Sequence, residues 1–227
     1  IDCEKIGMGT PPATVYLGTA GMVVALRLLG STLDLAALAA GAVERYREHP
    51  DWGEAIPGLF LGESGVLLVS SLLGGDHTER VRELAAANER NPAWELFWGS
   101  PGTMVAAKAL GLTEEYDRAA AILVDEWRDG LWKQVINGVE REMFGPAHGL
   151  VGNVHALRGY LDADELRRRV QPTMREHAVR DGDFVNWPPR TGTECTRVQW
   201  CHGAPGIVIT IGDLLPDDLL LGAAELT

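Results

Sequence analysis

Four side chains offer most of the chemistry in this sequence: His148, Arg197, Cys201 and His202. Cys201 and His202 stand directly before Gly203 in the string Trp200-Cys201-His202-Gly203-Ala204-Pro205-Gly206, and Arg197 lies four residues before the cysteine. His148 likewise stands directly before a glycine, Gly149. A free thiol has a pKa of about 8.5 and is mostly protonated at neutral pH, although its thiolate is the nucleophile and the metal ligand. Imidazole, with an ordinary pKa of about 6.5, gives and takes protons near neutrality. A fixed guanidinium stabilises an oxyanion as it forms. Taken singly, Cys201 reads as a buried free thiol, His148 as a residue bonding a helix start and Arg197 as a solvated charge. Their setting gives them a sharper reading.

That setting is a repeat. Short glycine-framed turns recur at Gly18-Thr19-Ala20-Gly21, Gly62-Glu63-Ser64-Gly65, Gly99-Ser100-Pro101-Gly102, Gly149-Leu150-Val151-Gly152 and Gly203-Ala204-Pro205-Gly206, with first glycines 44, 37, 50 and 54 residues apart. A mostly apolar run follows each turn, as in Met22 to Leu29, Val66 to Leu73 and Thr103 to Leu110. These runs predict inner helices buried all round. Between them, Asp34 to His49, Glu79 to Asn88, Glu114 to Trp127 and Asp164 to His177 place charge on one face and Leu, Ala or Val on the other. These predict amphipathic outer helices. A pair of helices of about 45 residues cannot bury its own inner face, so copies must pack side by side, in an open solenoid or a closed α/α toroid. In the closed form the inner-helix starts meet at one end of a central cavity, where a shared site is expected.

Composition narrows the partners. The 227 residues carry 32 acids against 20 bases, a net charge of -12 that opposes binding to a nucleic-acid backbone or an anionic membrane. No apolar run reaches the roughly 20 residues needed to cross a bilayer. Three cysteines, at 3, 195 and 201, are too few and too uneven for a disulfide framework and fit a reducing compartment. The expectation is a single cytoplasmic domain over residues 1–227 that binds neither nucleic acid nor membrane. Its start at Ile1 rather than Met suggests that residues upstream have been lost.

Six strings now bear on function: TVYLGTAG at 14–21, LFLGESG at 59–65, ELFWGSPGTM at 95–104, AHGLVG at 147–152, NWPPRTG at 186–192 and RVQWCHGAPGIV at 197–208. In this order the chain resembles the lanthionine synthetase C-like family, AHGxxG and WCHGAPG being the specific matches. The resemblance implies an all-α fold, an α/α toroid of seven helical hairpins of which five are present here, with zinc in its cavity. It implies addition of a thiol, from glutathione or a peptide cysteine, to dehydroalanine or dehydrobutyrine in a dehydrated peptide or protein substrate. By the same resemblance Cys201 is a zinc ligand, His148 handles protons, Arg197 lines the cavity and His202 takes a place that relatives fill with Tyr or His.

The resemblance also implies two further ligands, an adjacent Cys-His pair in a sixth turn, which the 227 residues do not contain. The segment from Asp213 to Thr227 reads as the beginning of that next hairpin. Zinc binding is therefore expected to be weak here and thiol addition lost, with apolar helix faces exposed at the open ends of the ring. Some relatives carry an aspartate before the second turn; Pro57-Gly58-Leu59-Phe60 has no acid, which leans away from ring closure. The alternative function is a non-catalytic helical module that binds a peptide or protein. An α/α-barrel glycoside hydrolase needs paired carboxylates, and Glu63 is the only acid inside a glycine turn. His49, His77 and His177 fall at polar helix boundaries and are expected to be solvated, and the tryptophans are expected to pack between hairpins.

Overall fold

The computed structural model describes residues 11–227, which leaves Cys3 outside the described residues. Five helical hairpins follow one another: α1 (Thr19–Leu28) with α2 (Leu35–Glu48), α3 (Glu63–Ser71) with α4 (Thr78–Asn88), α5 (Ser100–Ala109) with α6 (Thr113–Asp125), α7 (Leu150–Leu157) with α8 (Ala163–Glu176), and α9 (Ala204–Ile211) with α10 (Asp217–Glu225). Two short antiparallel strand pairs interrupt the pattern, β1 (Gln134–Ile136) with β2 (Val139–Arg141), and β3 (Val179–Asp181) with β4 (Phe184–Asn186). No helix among the described residues is long and apolar enough to cross a membrane.

The inner helices start earlier than their apolar runs suggest. Each begins at the residue after the first glycine, so the first glycine is the N-cap and the second lies inside the first turn. The reason is a close approach of backbone to backbone. A Cβ added at Gly18, Gly62, Gly149 or Gly203 would lie 2.1–2.3 Å from the carbonyl oxygen six residues earlier. At Gly21, Gly65, Gly152 and Gly206 the corresponding distances are 1.8–2.1 Å. Only glycine leaves room for the chain to curl back over the helix start, and the curled segment accepts the helix's unpaired N–H groups. Thr19 N donates to Pro12 O at 3.0 Å, Glu63 N to Ile56 O at 2.7 Å and Leu150 N to Met143 O at 2.9 Å.

The described residues form two compact units, one made by the chain up to residue 90 together with 97–119, the other by 91–96 together with 120–227. In the first, α3 and α5 are buried on almost every side, and fully buried Tyr46 of α2 exchanges hydrogen bonds with the Ile56 backbone. Helix α1 departs from the expected all-round burial: Met22 is 66% exposed and Leu28 and Leu29 are each 82% exposed. In the second unit Trp132 and Trp187 are fully buried, their indole N–H groups donating to Leu123 O and Met174 O, while Phe144, Leu150 and Leu157 fill the space around α7. Outer helices open with acids: Asp34 caps α2 through Ala37 N, and Asp162 caps α8 through Glu165 N.

Three sequence expectations need correction. Residues 213–227 do not begin a further hairpin; α10 packs on α9 and β4 as the outer helix of the fifth pair, because Leu219 and Ala223 turn their apolar faces inward. His77 is not simply solvated, since its Nε2 meets Ser70 Oγ at 3.1 Å and closes the loop between α3 and α4. His177 lies over the Phe144 ring at 4.8 Å between centroids.

Candidate functional site

The chemistry-bearing residues gather in the second unit, at the fourth and fifth glycine turns. A backbone ladder joins the segments ahead of these turns: Phe144 N donates to Pro189 O at 3.2 Å and Thr191 N to Glu142 O at 3.0 Å. The carbonyl of Cys201 rests against Gly145, where any Cβ would stand only 1.9 Å from that oxygen. His148 and His202, each directly before the first glycine of its turn, consequently come together with ring centroids 5.7 Å apart and planes inclined by 26°.

A third group joins them that the sequence reading did not single out. His148 Nδ1 donates to Oε2 of Glu95, a carboxylate with no exposed surface. The segment 91–96 carries Glu95 into place through its backbone. Leu96 N donates to Ala147 O at 3.2 Å, Val135 N to Pro92 O at 2.8 Å, and buried Gln134 donates from Nε2 to both Ala93 O and Trp94 O. Trp94 takes φ +41, a left-handed conformation costly for an aromatic residue and tolerated because Gln134 holds its carbonyl. A signal for Glu95 was present. An acid embedded in Ala93-Trp94-Glu95-Leu96-Phe97-Trp98 is too deep in apolar sequence to be hydrated and must find a polar partner.

The four residues singled out from sequence are thus placed unequally. His148 is half-buried and tied to Glu95, and since a carboxylate only accepts, Nδ1 carries the proton and Nε2 is the nitrogen that can exchange one. His202 is buried at 8% exposure with Nδ1 lacking a hydrogen-bond partner. Burial, aided by the neighbouring His148 and Arg197, pushes its pKa down to about 4, so its ring is neutral near pH 7. Arg197 is exposed, and its backbone carbonyl accepts from Asn186 Nδ2 at 2.9 Å. Cys201 is half-exposed, and its thiol lies 3.7 Å from Gln199 Oε1. Cys195 is separate: burial raises its thiol pKa, and it lines a groove of about 220 Å³ with Val179, Phe184, Val185 and Val198.

Among the described residues no three His, Cys, Asp or Glu side chains gather closely enough to hold a metal ion. Cys201 is a suitable zinc donor by chemistry, but no two further donors gather with it among the described residues. These residues do not fit a complete zinc site.

Paired helices with glycine-framed inner starts, and an imidazole–carboxylate pair stacked beside a second imidazole at two glycine turns, define a helical-hairpin repeat protein with polar side chains gathered at the turns. Residues 10–225 match the lanthionine synthetase C-like protein family, and the chain belongs to that family. Its five pairs are copies of the hairpin from which an α/α toroid is built. The solved structure of a nisin cyclase is similar at a TM-score of 0.65 and 16% identity, covering 98% of this chain and 71% of that one, a likeness of fold.

Proposed function

We propose that this chain carries the proton-handling and substrate-facing part of a thiol-addition site, in which glutathione or a peptide cysteine adds to dehydroalanine or dehydrobutyrine of a dehydrated peptide or protein. The observation that carries the reading is the Glu95–His148 pair stacked beside His202, one residue from the Cys201 thiol. In the addition the thiolate forms a C–S bond to the β-carbon, the π electrons move toward the carbonyl, and the resulting enolate takes a proton at the α-carbon. His148, oriented by Glu95, takes the proton released by the thiol at Nε2 and returns it from Nε2 to the α-carbon. Arg197 offsets the charge that develops on the enolate oxygen. His202, neutral and packed face to face, keeps the His148 ring in its plane.

A zinc ion bound through Cys201 would hold the substrate thiol as a thiolate. The described residues supply one good ligand for it, so zinc must draw the others from outside them, and no step above is assigned to the metal. The same shortage favours a second reading, a non-catalytic module that binds the dehydrated peptide without turnover.

The test pairs a synthetic peptide bearing one dehydroalanine with glutathione and follows the adduct by mass spectrometry. The 227-residue chain is expected to bind substoichiometric zinc after dialysis and to give no rate above background. A fusion extended by a Cys-His-Gly hairpin is expected to bind one zinc per chain and to form the adduct. A zinc-loaded fusion that binds peptide yet forms no adduct would establish the binding-module reading instead. Stoichiometric zinc in the short chain, lost in Cys201→Ala, would overturn the ligand argument.

A further inference from the structure

The fifth glycine turn is built differently from its counterparts. In the first, second and fourth turns the amide after the first glycine donates straight to the carbonyl seven residues earlier, as described for Thr19, Glu63 and Leu150. In the fifth turn the equivalent amide, Ala204 N, donates to Asn186 Oδ1 at 2.8 Å. The carbonyl that would have received it, Arg197 O, accepts from Asn186 Nδ2 at 2.9 Å. One side-chain amide has been inserted into a backbone hydrogen bond. The donor and acceptor fix the orientation of the amide, since an N–H must meet the oxygen and a carbonyl must meet the NH₂.

The insertion has two visible consequences. At the turn itself Gly203 takes φ +111, where Gly18, Gly62 and Gly149 are extended at -133, -129 and -175. The seven-residue segment between the two clamped ends is the one that bears Arg197, Cys201 and His202; inside it, Gln199 N closes on His202 O at 3.0 Å. Asn186 itself is held firmly. It pairs with Val179 at the end of β4, follows fully buried Val185 on a strand against which α10 packs, and precedes fully buried Trp187, which is bonded to α8.

We infer that Asn186 is a positioning residue that clamps the two ends of the fifth turn and thereby aims Arg197 and Cys201. Its catalytic meaning rests on the function proposed above; its structural content does not. In a chain with Cys3 and Cys195 replaced by serine, two readouts independent of turnover decide it: hydrogen exchange at the Ala204 amide, and the rate of Cys201 alkylation by iodoacetamide. Asn186→Asp is isosteric but sets a carboxylate oxygen against Arg197 O, a repulsion that drives the side chain out of the clamp and frees Ala204 N; Asn186→Ala removes both bonds. Each is expected to raise Ala204 exchange at least 10-fold and to change the alkylation rate at least 3-fold, with exchange in α7 unchanged. Both rates within twofold of the parent in folded Asn186→Asp would overturn the inference, and that variant decides if Asn186→Ala fails to fold. In the zinc-competent fusion Asn186→Asp is expected to lower kcat while leaving KM for the peptide within twofold. A parent fusion without activity would overturn the catalytic reading alone, the exchange and alkylation results still deciding the clamp.

Discussion

His148 owes its orientation to a carboxylate 53 residues away in sequence, and the pair makes a prediction at the scale of single atoms. Glu95→Gln is expected to abolish the preference for a proton on Nδ1, read as a change in the His148 ring ¹⁵N shifts, and to slow proton delivery on the order of 10–100-fold in an active fusion. Unchanged ring shifts would mean that Glu95 does not set the tautomer. His148 was legible because the string around it is specific; Glu95 was not, because its role depends on a backbone segment crossing to α7, which no local pattern encodes. A second residue-scale prediction concerns Tyr46, whose hydroxyl burial pushes up to about 12. The unfolded chain gives up this proton near pH 10 and the folded one near pH 12, so the contribution to stability is complete below pH 10 and lost as pH rises through that window. The loss amounts to about 2–3 kcal/mol. Alkaline titration should show Tyr46 ionising late, and Tyr46→Phe should flatten the fall in stability; ionisation of Tyr46 near pH 10 would contradict the burial argument.

At the scale of elements, the glycine turns and periodic runs located the helices of the first four hairpins and the start of α9 to within a few residues, since both signals are local, whereas α10 was assigned to a further hairpin. Their starts were displaced because the glycines act as part of the helix entrance rather than as spacers before it. The strand pairs went unforeseen although their turn signals are present. Asn137-Gly138 takes φ +52 and +72, the pattern of a type I′ hairpin, and Gly182 takes φ +60 at the first position of the other two-residue loop. Three-residue strands flanked by charge have too little alternation to register as sheet. Two glycine substitutions of opposite sign test the account. Gly65→Ala drives a methyl to within 1.8 Å of Leu59 O and is expected to destabilise by about 3 kcal/mol. Gly41→Ala, inside α2 with nothing within 4 Å of the new methyl, is expected to stabilise by about 0.5–1 kcal/mol. Urea denaturation measures both; a tolerated Gly65→Ala would show that the turn can relax where the close approach says it cannot.

At the scale of the whole molecule, a repeat of hairpins was legible because its period is written in glycine, and the exposed apolar face of α1 follows from the same logic: an inner helix covered on fewer sides than α3 or α5 keeps its Leu and Met side chains in water. Concentration-dependent self-association is therefore expected, and Met22→Lys combined with Leu29→Glu should reduce it in sedimentation velocity. Equal association by parent and variant would remove α1 as the cause. The turns carry one more implication, for how such a protein acquires new chemistry. In the first, second and fourth turns the entry hydrogen bond and the close approach run backbone to backbone, so the side chain just before the first glycine makes neither. That residue is Leu17, Leu61, Trp98, His148 or His202, and in three of the five turns it is half-buried. Each turn is an interchangeable socket, in which a reactive side chain can be gained, lost or traded over evolutionary time without disturbing the frame that presents it.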